Sequence, residues 1–200
     1  MGQTYDAIDQ RLAAFIEAQH VFFVATAPSG SDGHVNVSPK GGDSLRVLGD
    51  RKIAYADFNG SGIETVAHLR DNGRITIMLC AFQGPPKIVR FHGKGTTVEP
   101  HEPRFAALRA HFPASNNVRS IIVVDVERIS DSCGYSVPLY AFEGHRSTLE
   151  AWAEKKGPDQ LAEYRKKNNA KSIDGLAGLP SVSSHGSRRA GDAGGDTSGA

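Results

Sequence analysis

YADFNGSGIETVAHLRDNGR, residues 55–74, places a strand end, a glycine-flanked serine and an amphipathic helix in direct succession. The glycines on both sides of Ser61 favour a turn at the point where the helix begins. Glu64 follows three residues later, and this capping-box pattern predicts Ser61 as the helix N-cap. Asn72 and Gly73 predict the end of the helix, because glycine is the usual residue after a helix C-terminus.

The loop in front of this helix is a candidate anion site. The first turn of a helix has unbonded backbone N–H groups and the positive end of the helix dipole, and the glycines let a ligand come close. We therefore expect a phosphate at residues 61–64. An ordinary capped helix that holds no ligand has the same pattern, so this alternative stays open.

The segments around this stretch predict a mainly β fold. Alternating or β-branched runs are typical of strands, and most of these runs are separated by short loops, which favours antiparallel pairing. Strands are predicted at 21–27, 34–38, 44–48, 52–57, 74–82, 87–98 and 120–129. Other helices are predicted at 5–18, at 102–111 and, as a pair, at 148–167. The expected fold class is α+β, an antiparallel β-barrel with peripheral helices.

Composition limits the domain organisation and the partners. Of 200 residues, 39% are hydrophobic and 22% are charged, with a net charge of +1. This balance gives no general attraction for nucleic acid or for acidic membranes, so neither is an expected partner. Residues 1–180 are predicted to form one domain. The Ser/Gly/Ala-rich residues 181–200 have too little apolar surface to fold and are predicted to be a disordered tail.

Further patterns bear on location and on metals. The first residues lack the basic and apolar segments of a signal peptide, and no run is long enough to span a bilayer. Cys80 and Cys133 are far apart in the sequence, which favours a reduced protein, and the expected location is cytoplasmic. The eight histidines show no metal-ligand spacing, so no metal site is expected.

Three ordered motifs carry a family resemblance. HVNVSPKGGDSLRVL (34–48), YADFNGSGIETVAHLRDNGRITIM (55–78) and PPKIVRFHGKG (85–95) resemble blocks of the pyridoxamine 5′-phosphate oxidase-like family of FMN-binding split barrels. The resemblance covers roughly residues 19–128. It implies a six-stranded antiparallel split β-barrel, usually a homodimer, with FMN at the subunit interface.

The resemblance also implies a set of cofactor-binding residues on three strands and on the loop before the helix. They are Asn36, Val37, Ser38, Pro39 and Lys40 on the first strand, Tyr55, Ala56 and Asp57 on the neighbouring strand, Ser61, Gly62 and Thr65 around the helix start, and Lys87 and Arg90 on a later strand. Lysine and arginine side chains would supply the positive charge that a phosphate needs.

The chain departs from the family pattern at several places, one of which is Ile88 in place of the family's glutamine in the third motif. The family's serine is followed by basic residues, whereas Gly62, Ile63 and Glu64 stand here, and the Glu64 carboxylate would repel a phosphate. The positive charge that neutralises a phosphate would then have to come from Lys40, Arg46, Lys87 or Arg90. The Trp and Arg ending of true pyridoxamine phosphate oxidases is not reproduced around residues 146–152, so vitamin B6 oxidation is not expected.

The resemblance implies an FMN-dependent oxidoreductase that acts on a small-molecule substrate or electron donor. Its flavin would perform the redox chemistry, so no catalytic side chain is assigned. Tyr135 and Tyr140 are predicted either to line the flavin or to pack at an interface. A non-catalytic split-barrel protein that holds FMN, a deazaflavin or haem remains the alternative, because a fold does not fix its chemistry.

Overall fold

The computed structural model describes residues 2–179, which contain eight strands and four helices. The predicted tail, 181–200, lies outside the described residues. The strands are β1 Thr4–Tyr5, β2 Phe22–Thr26, β3 Asn36–Lys40, β4 Leu45–Gly49, β5 Lys52–Phe58, β6 Arg74–Cys80, β7 Ile88–Val98 and β8 Val118–Ser132. The helices are α1 Gln10–Glu17, α2 Glu64–Asn72, α3 Phe105–Arg109 and α4 Thr148–Asn168.

All strand pairs in the sheet are antiparallel, in the order β3-β2-β6-β7-β8-β5-β4, with β1 paired to β8. The predicted class, mainly β with peripheral helices, is confirmed, with eight strands in place of six. The extra strand β1 lies where the first helix was predicted to begin. That helix starts later, because the Asp9 side chain accepts a hydrogen bond from Leu12 N (2.8 Å) and caps it.

Successive residues of β5 face two different hydrophobic clusters. Tyr55 packs with α1, α2 and the neighbouring strands, and its ring lies edge-on to Phe22 with the centroids 5.5 Å apart. Ala56 packs in a second cluster with Val98 and Phe112. This alternation follows from the pleat of a strand, which points neighbouring side chains to opposite faces.

The N-cap of α2 lies two residues later than the sequence predicts. Its N-cap is Ile63, so the prediction of Ser61 as N-cap is wrong. The Glu64 carboxylate replaces the serine hydroxyl, because its Oε2 accepts a hydrogen bond from Ile63 N (2.9 Å). The predicted end is confirmed: Gly73 closes the helix in the left-handed conformation, with φ of 73°.

The C-terminal region returns to the start of α2. Helix α4 is two helical segments joined at Gly157, whose φ of 67° breaks the helix before Pro158, so the predicted pair is confirmed. After α4, Leu179 joins the main core and the backbone N–H of Ile173 donates to Glu64. Among residues 2–179, no helix is both long and apolar enough to cross a bilayer.

Candidate functional site

A cleft of about 1290 Å³ opens between β3, the loop before α2 and the segment that follows β8. Its walls come from residues 18–21, 36–44, 58–65, 82–84 and 140–150, and Arg119 of β8 also lines it. One end of the cleft is lined by polar side chains and the other by aromatic rings. Because the walls are distant in sequence, the cleft exists only in the folded protein.

Polar side chains of β3 form the first end. The side chains of Asn36, Ser38 and Lys40 lie on one face of the strand, because residues two apart point the same way. Asn36 Nδ2 donates to Ser38 Oγ (3.1 Å) and to Thr65 Oγ1 (3.2 Å), which joins the strand to the first turn of α2. Val37 points to the opposite face and is 61% exposed.

Behind this end lies a buried charge cluster centred on Asp57. Its carboxylate accepts hydrogen bonds from Lys40 Nζ (3.1 Å), Arg119 Nε (2.7 Å) and Ser120 Oγ (3.2 Å). Burial acts to raise the pKa of the Asp57 carboxyl, but the charges of Arg119 and Lys40 outweigh burial and hold that pKa below its ordinary value. Asp57 is therefore ionised and fixes the two cations.

Arg119 also shapes the loop before α2. Its guanidinium donates to Gly60 O (3.0 Å) and Gly62 O (2.7 Å), and Asn169 Nδ2 donates to Gly60 O (2.9 Å). Because the C=O and N–H of a trans peptide point in opposite directions, the amides that follow these two carbonyls point away from Arg119. The loop is thus oriented by the core, and not by Ser61.

Arg119 lines the cleft and is a candidate site residue that the sequence interpretation missed. Asp57 pairs with Ser120 and Phe58 with Val118, so Arg119 is the extra residue of a β-bulge in β8. A bulge re-aims a side chain, which explains how this residue reaches the loop. Two features of the sequence could have indicated this residue: an arginine within a β-branched run and an aspartate in a buried strand. Because buried charges are normally paired, the two side chains could have been expected to meet.

Tyr55 is the buried neighbour of this polar end. Its hydroxyl lies beside Thr65 without satisfying hydrogen-bond geometry to any group in residues 2–179. Burial raises the pKa of the Tyr55 hydroxyl well above its ordinary value, and the nearby Asp57 charge adds to the rise. A buried hydroxyl without a hydrogen-bond partner is unusual, so the polar end of the cleft has an unsatisfied polar group behind it.

Aromatic rings form the other end of the cleft. His20 and Phe142 stack with centroids 3.6 Å apart and an interplanar angle of 15°. His145 lies edge-on to Phe142 at 5.0 Å. Tyr140 is anchored by its backbone N–H, which donates to Phe82 O (2.9 Å), and the two rings lie 5.6 Å apart. These rings give the cleft flat, apolar walls.

The structure brings together six of the thirteen predicted cofactor residues. Those that line the cleft are Asn36, Ser38, Pro39, Lys40, Gly62 and Thr65. Those that do not are Val37, Tyr55, Ala56, Asp57, Ser61, Lys87 and Arg90. The binding role of the thirteen stays a prediction.

Lys87 and Arg90 lie outside the cleft and make contacts with other residues. Lys87 Nζ donates to Tyr5 Oη (3.1 Å) and lies 3.5 Å from an Asp131 oxygen. Arg90 Nη1 donates to Ser132 Oγ (3.1 Å). Of the two predicted tyrosines, Tyr140 lines the cleft, whereas Tyr135 is 82% exposed and does not.

Sequence comparison places the chain in a family. A family model described as pyridoxamine 5'-phosphate oxidase matches residues 8–133. The chain belongs to this family. The pyridoxamine 5'-phosphate oxidase family protein ustO of Aspergillus flavus is 36% identical over 195 residues, which covers 89% of this chain and 78% of that protein.

Solved structures to which the chain is similar include two bacterial proteins. HupZ of Group A Streptococcus is 21% identical, with a TM-score of 0.48 over 68% of this chain and 99% of the HupZ chain. An FMN-binding protein of Syntrophomonas wolfei is 17% identical, with a TM-score of 0.44 over 66% of this chain and 85% of that chain.

The cleft of this pyridoxamine 5'-phosphate oxidase family member fits a flavin in size and chemistry. Its volume of about 1290 Å³ exceeds that of ordinary small-ligand pockets. The aromatic end suits a planar ring system, and the hydroxyl, amide and ammonium groups of Ser38, Asn36 and Lys40 suit a phosphate. Residues 2–179 contain no group of three or more potential metal ligands placed to hold an ion.

Proposed function

We propose that this chain binds FMN in the cleft and acts as an FMN-dependent oxidoreductase on a small molecule. The observation that carries the proposal is the union, in one cleft, of stacked aromatic rings and a hydroxyl–amide–ammonium cluster. Membership of the pyridoxamine 5'-phosphate oxidase family supports a flavin as the ligand. When bound, FMN supplies hydride transfer, and the protein supplies position and charge.

In this proposal the side chains of the polar end hold the phosphate. Ser38 and Thr65 donate hydrogen bonds from hydroxyls that Asn36 positions, and Lys40 contributes its charge from a position fixed by Asp57. Phe82, Tyr140 and Phe142 at the other end give the ring system and a planar substrate apolar walls.

We further propose a homodimer. Strand β3 is an end strand of the sheet, and Val37 on it and Val35 just before it are exposed and do not line the cleft. Tyr135 and Leu139 add further exposed apolar surface after β8. A second copy of the chain would cover such surface. Sedimentation velocity should give twice the mass of one chain at micromolar concentration, and a monomer at that concentration contradicts the proposal.

A second candidate is binding without turnover, of FMN, a deazaflavin or haem. Lys40 and Arg119 are both paired with Asp57, which leaves less free charge for a reaction at the polar end. For haem, the imidazoles of His20 and His145 border the cleft with centroids 5.8 Å apart. Imidazole is a common axial ligand of haem iron.

Absorption spectroscopy separates these candidates. The purified chain, saturated with FMN and freed of excess ligand, should retain about one flavin per chain and should bleach under NADH or NADPH without oxygen. Flavin that is retained but that neither donor bleaches favours binding without turnover. A Soret band after haem addition, without flavin retention, favours the haem candidate. A chain that retains neither ligand contradicts both.

A further inference from the structure

The Glu64 carboxylate occupies the place that a ligand anion would take at the start of α2. Its Oε2 accepts a hydrogen bond from Ile63 N (2.9 Å), and its Oε1 accepts one from Ile173 N (3.3 Å). The residue also lines the cleft. Two backbone donors at the mouth of the polar end are therefore already satisfied by a negative charge of the protein itself.

Gly62 is matched to this arrangement. A Cβ built on Gly62 would lie 2.9 Å from Glu64 Oε2, closer than such atoms approach in proteins. A side chain at position 62 would therefore require the Glu64 carboxylate to shift.

The cations at the polar end are already engaged by other groups. Lys40 and Arg119 both pair with Asp57, Arg165 Nη1 donates to Asn59 Oδ1 (3.1 Å), and Glu64 adds a second carboxylate. Arg46 does not line the cleft, and its guanidinium donates to the carboxylate of cleft-lining Asp43 (2.8 and 2.9 Å) and to His111 O (2.8 Å). A dianionic phosphate beside Lys40 therefore meets the negative charge of Glu64 and a lysine that is already shared with Asp57.

We propose that Glu64 is a specificity-determining residue that keeps the cleft from selecting for a phosphate. The inference rests on the proposed flavin function and adds which flavin the cleft accepts. The ring system supplies most of the binding energy, so riboflavin, which lacks the phosphate, binds nearly as tightly as FMN. A neutral residue at position 64 restores the preference for the phosphorylated ligand.

The experiment measures Kd for FMN and riboflavin by quenching of flavin fluorescence, at constant ionic strength. In the native chain the two values should lie within about fivefold, whereas a phosphate site with several charge-assisted hydrogen bonds gives a preference above about 100-fold. In Glu64→Gln the Kd for FMN should fall about tenfold, while that for riboflavin changes less than about twofold. Glutamine keeps an acceptor for Ile63 N, so the helix start is retained.

Glu150→Gln is the matched control. Glu150 also lines the cleft, but its oxygens accept from Ser115 Oγ (both 3.0 Å) and do not touch α2. An equal gain in FMN affinity in this variant overturns the special role of Glu64. A native preference for FMN above about 100-fold overturns it without any variant. Failure of both flavins to bind the native chain refutes the proposed function and the inference with it.

Discussion

Arg119 Nε lies 2.7 Å from Asp57 Oδ2, and the two side chains form a buried ion pair between β8 and β5. The same guanidinium holds the carbonyls of Gly60 and Gly62. The pair therefore links the strands of the core to the loop that precedes α2. A change in either residue should affect both the stability of the protein and the shape of the cleft.

Arg119→Met should lower the free energy of unfolding by about 3–5 kcal/mol, because it leaves the buried Asp57 carboxylate with Lys40 as its remaining cationic partner. Urea denaturation followed by circular dichroism measures the loss. Arg51→Met is the control, since the Arg51 guanidinium donates to the carbonyls of Val126 and Glu127 and pairs with no carboxylate among residues 2–179. A loss below about 1 kcal/mol at Arg119 would show that the ion pair is not needed.

Lys40→Met should raise the Kd for FMN about tenfold and leave the Kd for riboflavin nearly unchanged, because it removes the one charge that the predicted phosphate residues bring to the cleft. Isothermal titration with each flavin measures both values. Lys52→Met removes the same charge from an exposed pair with Asp125 and should change neither. An equal rise in the Kd for both flavins would place Lys40 near the ring system and not near the phosphate.

Acidification should destabilise the chain through His68. Its imidazole is fully buried, its Nδ1 pairs with Thr26 Oγ1 (2.9 Å), and its Nε2 has no partner in residues 2–179. Burial lowers the pKa of the imidazole, although nearby carboxylates act against the shift. The unfolded chain therefore takes up the proton first, and stability is lost as the pH falls below about 6.5.

Urea midpoints at pH 7.5, 6.5 and 5.5 measure this effect. His68→Gln keeps a polar group for Thr26 but cannot titrate, so its midpoint should fall less over this range than that of the native chain. His34→Gln is the matched control, because His34 is exposed and pairs with Asp174 at the surface. An unchanged pH dependence in the His68 variant would mean that another group carries the destabilisation.

Gly93→Ala should destabilise the chain by about 3 kcal/mol, because the added methyl group has no room. A Cβ at this position would lie 2.1 Å from Asp125 O, a backbone atom that cannot swing away as a side chain can. Thermal unfolding measures the loss. Gly30→Ala adds the same group where no atom lies within 4 Å and should shift stability by less than about 0.5 kcal/mol. Equal effects would contradict the crowding argument.

Much of the fold could be predicted from local patterns. The β-branched runs predicted β2 to β8 to within a few residues, and Gly73 predicted the end of α2. The paired C-terminal helices were also predicted, and the break falls at Gly157. These features depend on residues close together in sequence, so the sequence alone carries the information.

The site was predicted less well, because its geometry depends on contacts between distant parts of the chain. Ser61 has the pattern of a cap, but tertiary hydrogen bonds from Arg119 and Asn169 set the loop, and the cap is Ile63. Lys87 is a plausible phosphate ligand by motif, yet Tyr5 and Asp131 engage it in the folded chain. No spacing rule encodes such pairings.

The stretch after α4 ties the end of the described chain to the mouth of the cleft. Asn169 holds Gly60, Ile173 meets Glu64, and Asp174 accepts from the backbone N–H of His34 (2.8 Å), next to β3. Shortening the protein to residue 168 would remove these supports from two walls of the cleft at once. Proteolytic loss of this stretch would thus weaken ligand binding, and it would also take Leu179 from the main core.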